Sequence, residues 1–336
     1  MKKLNFIDKI IYLINSAFIF IMILSYLSPY VNPKIFWPIS FFGLAYPILL
    51  IILSIFLVYW IVRLKRPLWA NLIIIVLGIN HLSNHIGTKN VKNSSSDISI
   101  LTYNTRMLNK YNWIDQKDID SKIFKLVKKY EADVACKRRL GYFIHTTLEY
   151  EYEYVKENFL TASKDPIMKK DYIKDLEKNI IGTKVDVLFT DDTVSILNIH
   201  LASNWFEEEE YNVINKLEID KKSFFEIISK MKDSYILRSS QANFFKDYIK
   251  TLKHKKIICA DLNDTPLSFT YRLIAKDFFD TFKECGKGIG KSYVKIPFTR
   301  IDYILHDNNF RTQSYVLDNN EYSDHYPIIT KLDLLN

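Results

Sequence analysis

The chain has few of the residues that punctuate or staple a fold. Its 336 residues include three cysteines, 8 glycines and 9 prolines. Cys136, Cys259 and Cys285 are odd in number and show neither CxxC nor Cys/His spacing, which argues against a disulfide scaffold or a zinc site. Two of them lie inside apolar, strand-like runs, so buried free thiols are expected. Scarce glycine and proline beside 22 tyrosines and 22 phenylalanines speak against a flexible or low-complexity chain. Acidic charge is the minority: 46 Lys and Arg face 38 Asp and Glu, a formal net charge of +8. The excess is spread along the chain and suits anionic lipid as well as nucleic acid.

Apolar runs dominate the first 88 residues. Ile10 to Leu27 and Phe36 to Val62 carry no charge, and the second exceeds the roughly 20 residues that span a bilayer. Leu68 to Leu82 is shorter, with Trp69 suited to an interface. Three successive runs speak against a cleaved signal peptide, which has one. Lys2, Lys3 and Lys9 precede the first run, and Arg63, Lys65 and Arg66 separate the second from the third. Only Lys34 lies between the first and second. The positive-inside rule puts the N-terminus and second loop in the cytoplasm. Three crossings then deliver the remainder to the other side, whereas two would leave it cytoplasmic. The polar stretch 89–96 (KNVKNSSS) reads as a linker. The expected organisation is an anchor of two to three transmembrane helices over 1–88, that linker, and a soluble domain over 97–336.

In the soluble part, β-rich runs at 98–104, 185–189, 194–201, 256–263, 300–306 and 326–334 alternate with helical patterns. Ile119, Ile123, Leu126, Val127 and Tyr130 form one helical stripe, and amphipathic stretches run from Glu207 to Lys230 and from Tyr235 to Leu252. This alternation predicts an α/β protein with two mixed sheets and outer helices.

The strands stop at chemistry-bearing residues. ISILTY ends at Asn104, VSILNI at His200, and KIICA at Asp261 with Asn263 beyond. The run at 300–306 carries Asp302 between Ile301 and Tyr303, and Asp324 and His325 precede the last strand. Each alone reads as a turn residue. Together they form a set of carboxylates, amides and imidazoles suited to a hard cation, proton transfer and a developing phosphate charge.

The motifs LTYNTR (101–106), LNIHLAS (197–203), IICADLNDTPLSFTYR (257–272), TRIDYIL (299–305) and YSDHYPI (322–328) resemble, in order and spacing, the endonuclease/exonuclease/phosphatase superfamily in its membrane-anchored bacterial form. SKDPI (163–167) and RSSQA (238–242) are softer matches. The resemblance implies a four-layer α/β/β/α sandwich and Mg2+- or Mn2+-dependent phosphoester hydrolysis. It also implies a bacterial inner membrane, and the positive-inside reading with three spans puts the domain on its extracytoplasmic side. Asp261 would activate water, Asn263 would contact phosphate, and His325, oriented by Asp302, would bind the scissile group. His200 would assist, and Asn104 and Asp324 would sit at the metal. Arg300 is a candidate phosphate contact or a plain surface arginine. The implied partners are the bilayer and a phosphoester of unspecified class, nucleic acid included; no obligate protein partner is implied.

One strand departs from the pattern. EADVACKRR (131–139) aligns with a strand that ends in a metal-binding glutamate, commonly after glutamine, and places Arg139 at that position. The swap puts a permanent cation where an anion should hold a metal. Glu149, Glu151 or Glu153 could substitute from a neighbouring loop, or Arg139 could clamp the phosphate itself. The alternative is a catalytically impaired domain that binds a phosphorylated ligand or partner. The stretch from Gly141 to Asp165 also lacks the glycine-led strand expected before SKDPI.

Overall fold

The computed structural model describes residues 4–89, 96–110, 112–139, 150–190, 192–204 and 221–335. The N-terminal region, expected to be an anchor, is a helical hairpin with a third helix against it. Helix α1 (Phe6–Leu27) starts at a capping box between Asn5 and Asp8 and has 22 residues. Helix α2 (Ile39–Arg63) has 25 and carries Pro47 inside it. At 1.5 Å per residue these reach roughly 33 and 37 Å, enough to cross a hydrocarbon core of about 30 Å. Two helices are therefore long and apolar enough to span a membrane. Helix α3 (Pro67–Leu77) has 11 residues. It runs back along α2: Tyr26 Oη donates to the Ile74 carbonyl at 2.9 Å and Tyr46 Oη to that of Gly78 at 3.3 Å. Buried Asp8 closes the opposite end, accepting from Tyr59 Oη at 2.8 Å and pairing with Arg63 at 3.2 Å and Lys65 at 3.6 Å.

The soluble domain contains two six-stranded sheets. Its strands run β1 (Ile86–Thr88), β2 (Ile98–Asn104), β3 (Val134–Arg138), β4 (Tyr152–Lys156), β5 (Phe159–Ser163), β6 (Ile167–Lys174) and β7 (Ile180–Phe189). They continue as β8 (Asp192–His200), β9 (Lys255–Asp261), β10 (Phe279–Asp280), β11 (Lys287–Ile289), β12 (Asp302–His306), β13 (Phe310–Leu317) and β14 (Ile328–Leu334). The first sheet is ordered β13-β14-β2-β3-β5-β4 and the second β10-β12-β9-β8-β7-β6. Alternation along the strands puts Val134 and Cys136 on the same inner face, where they pack against Val187, Ile196, Cys259 and Ile304 of the facing sheet. Outside, α4 (Ile119–Tyr130) lays Ile123 and Val127 on the first sheet. On the second sheet, α5 (Lys221–Lys250) and α6 (Phe269–Ala275) bury Phe245 and Ile274. The expected α/β/β/α sandwich is the observed one, and all three cysteines are buried free thiols.

Three expectations change. The break predicted after Lys230 is absent, because Ile227, Met231 and Tyr235 continue one buried stripe through the polar run; residues 207–220 of that prediction lie outside those described. The strand before SKDPI exists as β5, entered by a two-residue turn in which Glu157 takes the left-handed φ of 49° where a glycine was expected. Arg300 is buried and ties domain to anchor, donating to the Asn84 carbonyl at 2.9 Å and pairing with Asp280 at 2.8 Å. Most of the stretch read as a linker lies outside the described residues, and β1 just before it pairs with β11 of the domain. Gly43 marks another close join: a Cβ there would stand 2.3 Å from the Leu267 carbonyl.

Candidate active site

The ends of β2, β8, β9 and β12 meet at one edge of the sandwich. Parallel pairing of β8 with β9 sets His200 beside Asp261, and antiparallel pairing of β9 with β12 sets Asp302 on the other side. Across the sheet interface, Asn104 at the end of β2 donates to Asp261 Oδ2 at 2.8 Å. The same oxygen lies 3.5 Å from His200 Nε2 and 3.8 Å from His325 Nε2. Asp261 Oδ1 accepts the Asn263 backbone N–H at 3.0 Å. Asn263 adopts φ 50°, a conformation asparagine tolerates, and its side chain donates to the Leu201 carbonyl at 2.9 Å. His325 Nδ1 donates to Asp302 Oδ2 at 2.7 Å. The structure thus brings together Asn104, His200, Asp261, Asp302 and His325, with Asn263 at their rim.

Burial and charge set the protonation states. Burial alone would raise Asp261, but His325, His200 and Arg138 hold its carboxyl down to about 2. Burial would lower His325; Asp302 and Asp261 overcome it and raise the imidazole to about 9. His200 has burial against it as well as Arg139 and Arg138, which outweigh Asp261 and push it down to about 4. Burial, together with the charge of Asp261, raises Asp302. At neutral pH the centre therefore contains an ionised Asp261, an imidazolium at His325 and a neutral imidazole at His200.

The cations of the β3 end divide three ways. Lys137 faces outward, buried under the Phe124 ring at 5.0 Å, where burial lowers its amine to about 7. Arg138 points inward between the sheets and is fully buried. It donates to Thr102 Oγ1 at 2.7 Å and pairs with Asp302 Oδ1 at 3.1 Å, directly behind His325. Arg139 leaves the strand with φ 54°, its carbonyl accepting from Met107 N–H, and lines the cavity beside His325 and Asp324. Among the described residues no carboxylate pairs with it. Arg106 begins a run of four left-handed residues, reaches Asp324 at 3.2 Å through Nε, and lies 4.1 Å over the Trp113 ring.

Arg138 and Arg106 are the residues the sequence reading missed. The alternation Val134, Cys136, Arg138 was the available signal for the first; the second had only its place in LTYNTR.

Asp261, Asp302 and His325 present one ligand atom each within 4.8 Å of one another, a group that could hold a metal ion. Its atoms are already paired with one another and with Arg138. At the position the resemblance gives to the metal, Asp324 is held by Arg106 and the glutamate is replaced by Arg139. Among the described residues that position offers a divalent cation a guanidinium and an already paired carboxylate, so the Asp261, Asp302 and His325 group is the one that could hold it. Glu151 and Glu153 do not repair that position, since β4 is an edge strand separated from β3 by β5; Glu149 lies outside the described residues.

Searches for similar proteins add the fold. The mannosyl-6-phosphatase of Bacteroides thetaiotaomicron aligns with TM-score 0.51 at 13% identity, covering 70% of this chain and 99% of its own. An endonuclease/exonuclease/phosphatase from Bacteroides vulgatus gives 0.52 at 15%, covering 71% and 100%. The two-sheet part of the chain has the endonuclease/exonuclease/phosphatase fold. A further protein of that family from Bacteroides thetaiotaomicron gives 0.51 at 15%, covering 71% of this chain and 98% of its own. At these identities the likeness is one of fold. Residues 8–85 match a family described as "Domain of unknown function (DUF8431)". No curated protein matches the chain.

Proposed function

We propose that the chain is a membrane-anchored phosphoesterase whose site works with arginine and imidazolium charge at the place a metal would take. The observation that carries this is the wiring of Asp261 to Asn104, His200 and His325, with unpaired Arg139 facing the same cavity. Ionised Asp261 orients the attacking water, and Asn263 faces the phosphate from the rim. The imidazolium of His325, held by Asp302, donates to a phosphoryl oxygen as charge develops there. Arg139 offers a planar pair of donors to the same group. Asn104 and Arg138 keep the two carboxylates oriented.

The anchor reading is supported by the same arrangement. Arg63 and Lys65 gather with the N-terminal end of α1, while Ser28, Gly43 and Leu267 mark the end where the domain docks. Because α3 returns toward the docking end, the basic end and the domain lie on opposite sides. By the positive-inside rule the domain is then extracytoplasmic, in a bacterial inner membrane. The bilayer and a phosphoester are the partners this requires.

A second reading is favoured by Arg139 and by the Arg106–Asp324 pair: a domain that binds phosphate without cleaving it. The full chain in detergent, given bis(p-nitrophenyl) phosphate and p-nitrophenyl phosphate, separates the two. Turnover abolished by Asp261→Ala supports the esterase; tight phosphate binding with no turnover supports the binder.

A further inference from the structure

The cavity over the site is built from two sources of opposite character. Its volume is about 950 Å³, at the upper end of the roughly 300–1,000 Å³ of pockets that take drug-sized ligands. One wall is the catalytic edge, with Asn263, His325 and Arg139. The other is apolar and comes from the anchor: Phe41, Leu44 and Ile48 of α2, backed by Ile227 and Met231 of α5. A bare phosphate leaves most of this space empty. A sugar phosphate would set hydroxyls against aliphatic side chains that cannot pair with them. A polynucleotide would meet on that wall, among the described residues, only the two α5 cations Lys230 and Arg238.

The apolar wall does not end at the cavity. Leu44, Ile48, Ile51 and Ile55 follow helical spacing down one side of α2, and the last three are 59%, 47% and 64% exposed. The candidate span on this helix is Tyr46–Arg63; with that segment in the hydrocarbon, Phe41 to Ala45 stand just above it and the stripe below them faces acyl chains. Tyr30 and Trp37 flank the same level, with Arg272 4.4 Å from the first ring and Lys232 5.9 Å from the second.

We infer that the substrate is a phosphorylated membrane lipid, its phosphate at Arg139 and His325 and its acyl chain lying on Leu44, Ile48 and Ile51 of α2. The lipid enters sideways from the bilayer without crossing water. This rests on the phosphoesterase reading for the chemistry but not for the occupancy, so the two are tested apart.

The full chain is reconstituted in nanodiscs with phosphatidic acid bearing a diazirine in its acyl chain, irradiated, and mapped by peptide mass spectrometry. The inference predicts saturable label on Ile227 and Met231, which belong to the soluble domain, as well as on the upper turns of α2. Unlabelled phosphatidic acid competes, glycerol 3-phosphate does not, and Arg139→Ala lowers the α5 label by about tenfold, the loss of one charge-assisted contact. Label confined to α2, or label on α5 that ignores both competitor and Arg139→Ala, is annular lipid only and overturns the inference. Turnover of soluble phosphodiester without α5 labelling sinks the lipid and spares the esterase. Labelling of α5 with no turnover of any phosphoester does the reverse.

Discussion

On the second sheet, Asp261 and Asp302 stand side by side on β9 and β12, each with a histidine, and together they make an anionic floor for a proton-handling centre. On the first sheet, β3 ends at the same edge in Arg138 and Arg139. One of these guanidiniums is sunk beneath the floor and paired; the other lines the cavity above it, with no carboxylate partner among the described residues. Both halves reach the edge through ordinary strand alternation, yet they ask for different ligands. The carboxylate half carries groups suited to moving a proton, and the arginine half carries charge suited to an anion. Buried Arg138 reconciles them, since its charge lets two carboxylates approach one another without a metal between them.

The sharpest way to break the comparison is to remove the anionic side. Asp261→Ala should lower turnover of a soluble phosphodiester by about 10³-fold, within the range for removing a group that handles the proton in the transition state. Steady-state kinetics check this, and a loss of less than tenfold would mean the carboxylate half is ornamental. Next in size is Arg138→Met, which strips Asp302 of a buried partner and should cost about 3 kcal/mol of stability, seen as a lower chemical-denaturation midpoint. An unchanged midpoint would show that the pair does not bind the sheets together. Arg139→Ala should raise KM for phosphoesters by roughly tenfold to a hundredfold while leaving the denaturation midpoint within about 0.5 kcal/mol, because this guanidinium lines the cavity and no carboxylate among the described residues pairs with it.

The smallest effect is on pH. His325 is raised from 6.5 to about 9, so its ion pair contributes fully below pH 6.5 and is lost as pH rises through 9. Asp261, lowered to about 2, loses its contribution only in strong acid. Lys137, lowered from 10.5 to about 7, works the other way, favouring the fold as pH rises above 7. Stability should therefore change little from pH 7 to 9, and His325→Gln should turn that near-flat profile into a rising one; a variant profile that stays flat would reverse the charge assigned to His325.

Much of the fold was legible because buried strands such as KIICAD and VSILNIH are apolar runs with polar ends. Among the strands that escaped notice, which also include β1, β5, β10 and β11, the longer β4, β6 and β13 have sequences, YEYVK, IMKKDYIK and FRTQSYVL, that mix lysine, arginine and acid with aromatics. All three lie at sheet edges, where charge on the open side discourages pairing with another chain. The site residues were legible for a related reason: a strand that stops on Asn, His or Asp at the same edge leaves little else for those side chains to do. Arg138 and Arg300 were not, because sequence shows a charge but not its partner. Asp302 and Asp280 lie 164 and 20 residues away from them, and only the folded sheets bring each pair together.

The central claim is that arginine charge stands in for a metal at a working phosphoester site, and Arg139→Glu tests it directly. Turnover of bis(p-nitrophenyl) phosphate by the full chain is measured in EDTA and across a magnesium titration, beside the same titration of the variant. The account predicts turnover by the natural chain that persists in EDTA, and a variant whose activity appears only with magnesium. Activity of the natural chain that vanishes in EDTA and returns with magnesium, with the variant behaving alike, would contradict it.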